Sequence, residues 1–433
     1  MNITVAHVKR KLMRITENDY IAGAGARLPR RRRLFLALLL GLMAAFGPLC
    51  TDTYLPSLPV LAADLSISTA TTQLTITACL LGMALGQLFV GPLSDSTGRR
   101  KPLFVALMFF TLASVCCAAA RSGNSFIALR FAQGLGGAGG IVLARAMACD
   151  LFRGAELTNF MSLLMVVNGI APITGPLLGG WLASMAGWPS IFYFLTGFGV
   201  LLIVLSALGL PETLPQGMRR DGGLRASWTA MGALLRQKPF MCYVGVQGFT
   251  MGGFFGYVAA SPFVLQGMYG LSPKTYSILF GCNALSLMFF AFGTARNARR
   301  LGEARLLRIG NTLRAVACLG VLAVTVVTPA SPVPLLIGLF FMIALQGMTL
   351  PTSFTLGISA QNVGAGTASG ILGVSVFIFG ALTSPLVGLA GGGTALPLGI
   401  VCAVTGVASA LLGYVGDREL KKLRESSGAE AQP

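Results

Sequence analysis

The sequence predicts an all-α polytopic membrane protein, with twelve transmembrane helices in two pseudo-symmetric six-helix bundles. Three observations predict it. Of 433 residues, 54% are hydrophobic and 11% are charged, against about 25% charged in soluble domains. The apolar residues fall in runs near twenty long, the length that crosses a bilayer as a helix. Three short motifs also recur in the same order about 200 residues apart.

A basic tail, 1–33, ends in Arg30-Arg31-Arg32-Arg33. Candidate spans follow at 34–58, 71–92, 102–120, 125–150, 157–183 and 189–210, placed by length and hydropathy. A polar central loop, 211–238, carries Arg219, Arg220, Asp221, Arg225, Arg236 and Lys238. Six more apolar runs lie at 240–265, 274–294, 306–328, 333–358, 364–389 and 395–416. The first bundle is therefore 34–210, the second 239–416, and a charged tail covers 417–433. The repeats support that division. Thr174-Gly175-Pro176-Leu177-Leu178-Gly179 in the fifth span is echoed by Thr383-Ser384-Pro385-Leu386-Val387-Gly388 in the eleventh. Gln133-Gly134 is echoed by Gln346-Gly347, and Gly98-Arg99-Arg100 by Ala298-Arg299-Arg300. In such duplicated carriers the substrate site lies near the midplane, where the repeats meet.

Net charge is +18, which in a soluble protein would suggest nucleic acid. Here the basic residues sit in short connectors between apolar runs, so the partner is the lipid bilayer and no nucleic acid is expected. With both termini cytoplasmic, the inward tails, loops and inner span edges hold 27 of the 32 basic residues. The outward loops hold only Arg121 and Lys274, and the span interiors hold Arg130, Arg145 and Arg314. That asymmetry sets the topology. The nine cysteines lie in or at the ends of apolar segments, and the one histidine, His7, is in the basic tail. Disulfides and a metal site are not expected. The first span follows some thirty polar residues with no small-residue cleavage site, and reads as a retained helix.

Asp52 is the costly residue. It lies in Pro48-Leu49-Cys50-Thr51-Asp52-Thr53-Tyr54-Leu55-Pro56-Ser57-Leu58-Pro59, after an apolar run from Leu34 that spans about 27 Å at helical rise. An ionised carboxylate in the outer half of a membrane costs several kcal/mol unless paired, solvated or protonated. Other acids, including Asp95, Asp150, Glu156, Glu212 and Glu303, sit at inner helix ends or loops. Arg130 lies in the fourth span, in Leu129-Arg130-Phe131-Ala132-Gln133-Gly134, followed by Leu135-Gly136-Gly137-Ala138-Gly139-Gly140. Counting from the outer ends, Asp52 and Arg130 differ in depth by about 6 Å. An Asp52–Arg130 pair is the expectation. The second half has no counterpart, because Ile343 stands where the repeat partner of Arg130 would be.

Two further stretches are built for conformational change. Gly91-Pro92-Leu93-Ser94-Asp95-Ser96-Thr97-Gly98-Arg99-Arg100-Lys101 combines turn residues, an acid beside helix ends and an inward basic cluster. It resembles the loop motif of the major facilitator superfamily, which implies the major facilitator fold. The resemblance assigns Gly91, Asp95, Gly98 and Arg99 to an inner gate, with Arg100 beside them. In the fifth span, Gly169-Ile170-Ala171-Pro172-Ile173-Thr174-Gly175-Pro176-Leu177-Leu178-Gly179-Gly180 packs prolines and glycines into one helix. It resembles the superfamily's antiporter motif, which implies export, with Gly169, Pro172, Gly175, Pro176 and Gly179 as its marks. The Arg130 stretch is similar to the superfamily's fourth-helix motif, which implies a part for that arginine in proton coupling.

Asp52-Thr53-Tyr54-Leu55-Pro56-Ser57-Leu58-Pro59 resembles the first-helix signature of the bicyclomycin-resistance (Bcr/CflA) drug–proton antiporters. Ala144-Arg145-Ala146 with Asp150-Leu151-Phe152, Ala260-Ser261-Pro262-Phe263-Val264-Leu265-Gln266 and Gly366-Thr367-Ala368-Ser369 are similar to other stretches of that group. Arg145 and Asp150 join the gate on that basis. Cys149 departs from the group, which often has arginine there, and Pro189 stands where a basic residue is common. The polar and aromatic candidates for substrate contact are Tyr54, Gln133, Asn168, Gln247, Phe254, Tyr257, Asn283 and Gln346, since polar groups facing lipid would be costly.

The resemblance implies a monomeric exporter in the bacterial inner membrane that moves small amphipathic compounds, such as bicyclomycin or chloramphenicol. Protons would be the coupling ion, with no other cofactor. An enzyme would need a nucleophile–base pair, a metal cluster or a second membrane acid, and the sequence supplies none. It also lacks the phosphate loop of an ATP-driven pump. An exporter or facilitator of one native metabolite, such as a sugar, amino acid or polyamine, remains the alternative on the same fold.

Overall fold

In the computed structural model, proline placement shows how the first span is built. Pro48 lacks the N–H that would bond the Ala44 carbonyl, and Pro56 lacks the one for Asp52. Helix α1 accordingly ends at Ala44 (Arg30–Ala44) and α2 ends at Asp52 (Phe46–Asp52). A 3₁₀ turn, Leu55–Ser57, leads into α3 (Leu58–Asp64). The span bends by 41° at Ala45. The expected span 34–58 is thus longer and broken, because prolines interrupt the helix without ending it. The structure describes residues 28–152, 154–219, 223–328, 330–361, 365–388 and 393–426.

The remaining helices are α4 (Thr69–Thr97), α5 (Arg100–Ala118), α6 (Gly123–Leu151), α7 (Gly154–Ala186), α8 (Pro189–Gly209) and α9 (Gly223–Leu235). They continue as α10 (Lys238–Ser261), α11 (Pro273–Leu301), α12 (Glu303–Val327), α13 (Val333–Ser359), α14 (Ala365–Thr383) and α15 (Leu396–Ser426). Among the described residues, ten helices are long and apolar enough to cross a membrane, and the bent pair adds an eleventh. Helix α9 corrects the expectation that 211–238 is loop. Its Leu234 is fully buried with Phe240, Val244 and Leu372, so spacing along a mixed segment built a packed helix. Helix α15 runs well past 416, because Arg418, Glu419, Lys421 and Lys422 are good helix formers, and Glu419 pairs with Lys422 at 2.7 Å.

The chain divides into two compact units, Met1–Tyr54 with Gly82–Ala226 and Leu55–Leu81 with Ser227–Pro433. In the first unit, α2 packs between α6 and α7. Gly136 of α6 allows a close crossing with α5, since a Cβ there would lie 2.5 Å from the Phe110 nitrogen. In the second unit, α10 is the hub, packed on α14, α15 and α13. The start of α4 belongs to this unit, and Gln73 donates to the Ala259 carbonyl of α10 at 3.4 Å. Helix α10 passes into a π-helical turn at Pro262–Met268. Helix α14 stops before a 3₁₀ turn at Pro385–Gly388, although its repeat partner α7 runs through Pro172 and Pro176.

Candidate functional site

Breaking a helix leaves carbonyls without N–H partners, and the break after Asp52 gathers the site. Thr53 Oγ1 donates to the Leu49 carbonyl at 2.7 Å. The Cys50 carbonyl accepts from Arg130 Nη2 of α6, also at 2.7 Å. Arg130 is fully buried. Its other terminal nitrogen donates to Gln133 Oε1, and Gln133 Nε2 donates to Ser114 Oγ of α5 at 2.7 Å. The guanidinium lies over the Tyr54 ring at 4.4 Å and near Phe192 at 5.7 Å, where a desolvated cation gains from the aromatic faces. Arg130 is therefore held from three helices.

Asp52 is 2% exposed. Thr51 Oγ1 lies 2.7 Å from Asp52 Oδ1 and 3.0 Å from the Gly47 carbonyl. The structure thus brings Arg130 to the helical turn that carries Asp52, where it bonds the backbone two residues earlier, at Cys50. Helix α7 closes the other side. A Cβ at Gly175 would sit 3.6 Å from Asp52 Cβ, and one at Gly179 would overlap the Thr53 carbonyl. The glycines of the fifth-span motif form the surface against which the acid-bearing turn packs. Pro172 and Pro176 lie inside the same continuous helix, with Gly169 one turn before Pro172.

The inner loop forms a second cluster. Arg99 is 7% exposed. Its Nη1 donates to Asp95 Oδ1 at 2.5 Å and to Ser94 Oγ at 2.6 Å, and its Nε to Asp150 Oδ2 at 2.9 Å. Burial alone would lower the Arg99 guanidinium, but the bonds and charges of Asp150 and Asp95 outweigh it and hold its pKa above the ordinary arginine value. Gly98 has φ of +94°, which glycine alone adopts readily. Gly91 leaves room at the α6 contact, where a Cβ would meet Val142 at 3.5 Å. Arg145 lies on α6 and makes no hydrogen bond or ion pair with the Arg99 cluster among the described residues. Two residues outside the expected gate are brought there. Glu212 accepts from the Arg99 and Arg100 N–H groups at 2.8 and 3.1 Å, capping the start of α5. Thr213 Oγ1 donates to Asp150 Oδ2 at 2.9 Å. Their signal was Pro211-Glu212-Thr213, an acid at a helix end beside a basic loop.

The substrate candidates divide. Tyr54 and Gln133 are buried and engaged with Arg130. In the second unit, Gln247 donates to the Leu350 carbonyl at 2.8 Å. Asn283 Nδ2 donates to the Tyr257 hydroxyl at 3.1 Å, and Tyr257 stacks on Phe280. Gln346 Nε2 lies 3.0 Å from Met251 Sδ. Phe254 is half-buried beside Phe255 and Tyr257. The side chain of Asn168 lies outside the described residues. Sequence reasoning passed over Arg314 of α12, which is fully buried and donates Nη2 to the Thr250 carbonyl of α10 at 3.1 Å. Ile343 is buried and apolar at the expected repeat position, but the second unit still directs an arginine at its own first helix. That arginine comes from a different helix, which the repeat register could not reveal.

The family description that matches this chain, "Major Facilitator Superfamily", covers residues 34–385. The chain belongs to the major facilitator superfamily. It is a multi-pass membrane transporter and not an enzyme. Among curated relatives of this superfamily protein, the uncharacterized MFS-type transporter YdgK of Bacillus subtilis is 42% identical over 88% of this chain and 95% of its own. A bicyclomycin resistance protein homolog of Haemophilus influenzae is 31% identical over 89% and 96%. Multidrug resistance protein D of Escherichia coli is 29% identical over 82% and 95%. Among solved structures, a bacterial homolog of the human lysosomal transporter Spinster has a TM-score of 0.72 at 16% identity, covering 91% of this chain and 99% of that one. At that identity the likeness shows the facilitator fold alone.

Proposed function

We propose that this superfamily member is a proton-coupled exporter of small, drug-like amphipathic molecules in the bacterial inner membrane. It acts as a monomer with twelve spans and both termini cytoplasmic, α7 supplying the fifth span. The observation that carries the reading is Asp52, a buried carboxylate at a helix break whose end is capped by a buried arginine. A group that switches between charged and neutral there changes the local balance by several kcal/mol, enough to bias two conformations. The Thr51 hydroxyl serves both states. It donates to the ionised carboxylate, and it accepts from the protonated one while turning its own hydrogen to the Gly47 carbonyl. Arg130 keeps the broken end fixed in either state, so protonation is felt at the acid and does not unravel the turn.

The names of the relatives, bicyclomycin resistance and multidrug resistance, support drug-like cargo. The glycine face of α7 against Asp52 and Thr53 supports export, on the resemblance of that stretch to the antiporter motif. The Phe and Met content, 27 and 17 residues, suits an adaptable apolar pocket. The test is a drug-susceptibility panel in an efflux-deficient host expressing wild type or Asp52→Asn. Wild type should raise the tolerated concentration of at least one phenicol or bicyclomycin-like compound, and Asp52→Asn at equal membrane abundance should not. A panel in which the two behave alike would overturn the coupling assignment.

A further inference from the structure

At the arginine-rich end of the first span, Arg30, Leu34 and Leu38 fall on one stripe of α1, since residues four apart share a helix face. Leu34 is 47% and Leu38 55% exposed, so this stripe is not used in packing the protein. Beside it lies a cavity of about 540 Å³ bounded by Arg30, Arg33, Leu34, Phe152, Glu156 and Phe160. The Phe152 and Phe160 rings stack at 4.1 Å and form an apolar wall. Arg33 Nη2 sits 3.7 Å from Glu156 Oε1, which holds that arginine at the mouth. Arg30 is exposed and makes no ion pair among the described residues. Two guanidinium groups and one carboxylate leave the cavity net positive.

We propose that this cavity is a binding site for one anionic phospholipid. Its phosphodiester sits on Arg30 and Arg33, and its acyl chain lies along Leu34 and Leu38. Guanidinium groups suit phosphate oxygens because their N–H pairs match them in spacing and plane. The site lies at the end of a spanning helix, where headgroups are found, and basic pockets between spans favour anionic lipid. A soluble phosphate would use the arginines but not the apolar stripe. A zwitterionic choline lipid would use the stripe but lose the charge match. The inference goes beyond the transport reading, and its test involves neither drug nor proton.

The full chain is purified in detergent, stripped of lipid and examined by native mass spectrometry and thermal unfolding. Phosphatidylglycerol, phosphatidylcholine or inorganic phosphate is added. Wild type should retain one phosphatidylglycerol and unfold at higher temperature with it, and Arg30→Gln should weaken retention about fivefold, the worth of one basic side chain at a lipid surface. Arg300→Gln, an exposed arginine at the end of α11, should bind as wild type does. Equal retention of phosphatidylcholine, an equal shift with inorganic phosphate, or equal losses in Arg30→Gln and Arg300→Gln would each overturn the proposal. So would unchanged retention in Arg30→Gln.

Discussion

Replacing Arg130 with lysine keeps the charge and removes the fork. The guanidinium holds the Cys50 carbonyl and Gln133 at once while lying over Tyr54. A compact ammonium cannot reproduce that planar arrangement. Arg130→Lys should therefore reach the membrane but transport at least about tenfold more slowly, the consequence of losing one charged hydrogen bond of ordinary strength. Drug uptake into everted vesicles, normalised to protein in the membrane, reads this directly. Much of this residue was legible in the sequence. A cation and an acid stand out in apolar runs, and counting helical rise puts Arg130 within a turn of Asp52. The atom that Arg130 binds was not legible. It depends on where α2 ends, since the Cys50 carbonyl lies in the last turn of that helix. For the same reason Tyr54 and Gln133 looked like free polar groups, when they form the seat of the arginine.

The broken first span and the glycine face of α7 are a matched pair of elements. A methyl group at Gly179 meets the Thr53 carbonyl, which cannot turn aside like a side-chain tip, whereas one at Gly175 meets ordinary contacts of 3.5–3.6 Å. Gly179→Ala should lower the melting temperature in detergent sharply, in line with overpacking costs of about 1–3 kcal/mol. Gly175→Ala should stay within about 0.5 kcal/mol of wild type. At the inner end, Asp150 binds both Arg99 and Thr213 with a side chain only 15% exposed. Asp150→Asn removes the charge that balances a buried arginine, and should cost about 3 kcal/mol, seen as early unfolding in the same melts. Hydropathy placed most helices within a few residues. It did not foresee their breaks, because proline has no single outcome. Pro172 and Pro176 stay within one helix, while Pro48, Pro56 and Pro385 coincide with breaks or 3₁₀ turns. Neighbouring groups that satisfy the freed carbonyls decide between these outcomes, and those neighbours come from distant sequence.

At the scale of the whole molecule, the duplication and the placement of charge carry the account. Each unit points a buried arginine at the backbone of the first helix of its half, Arg130 at Cys50 and Arg314 at Thr250. Asp52 lies in the first half, and the central claim is that it is the buried charge on which an added proton acts. The most direct measurement follows proton movement in energised everted vesicles when a transported drug is added. Wild type should release protons on addition of drug, and Asp52→Asn, present at equal abundance and melting normally in detergent, should release none. Drug-driven proton release of wild-type size from Asp52→Asn would contradict the account.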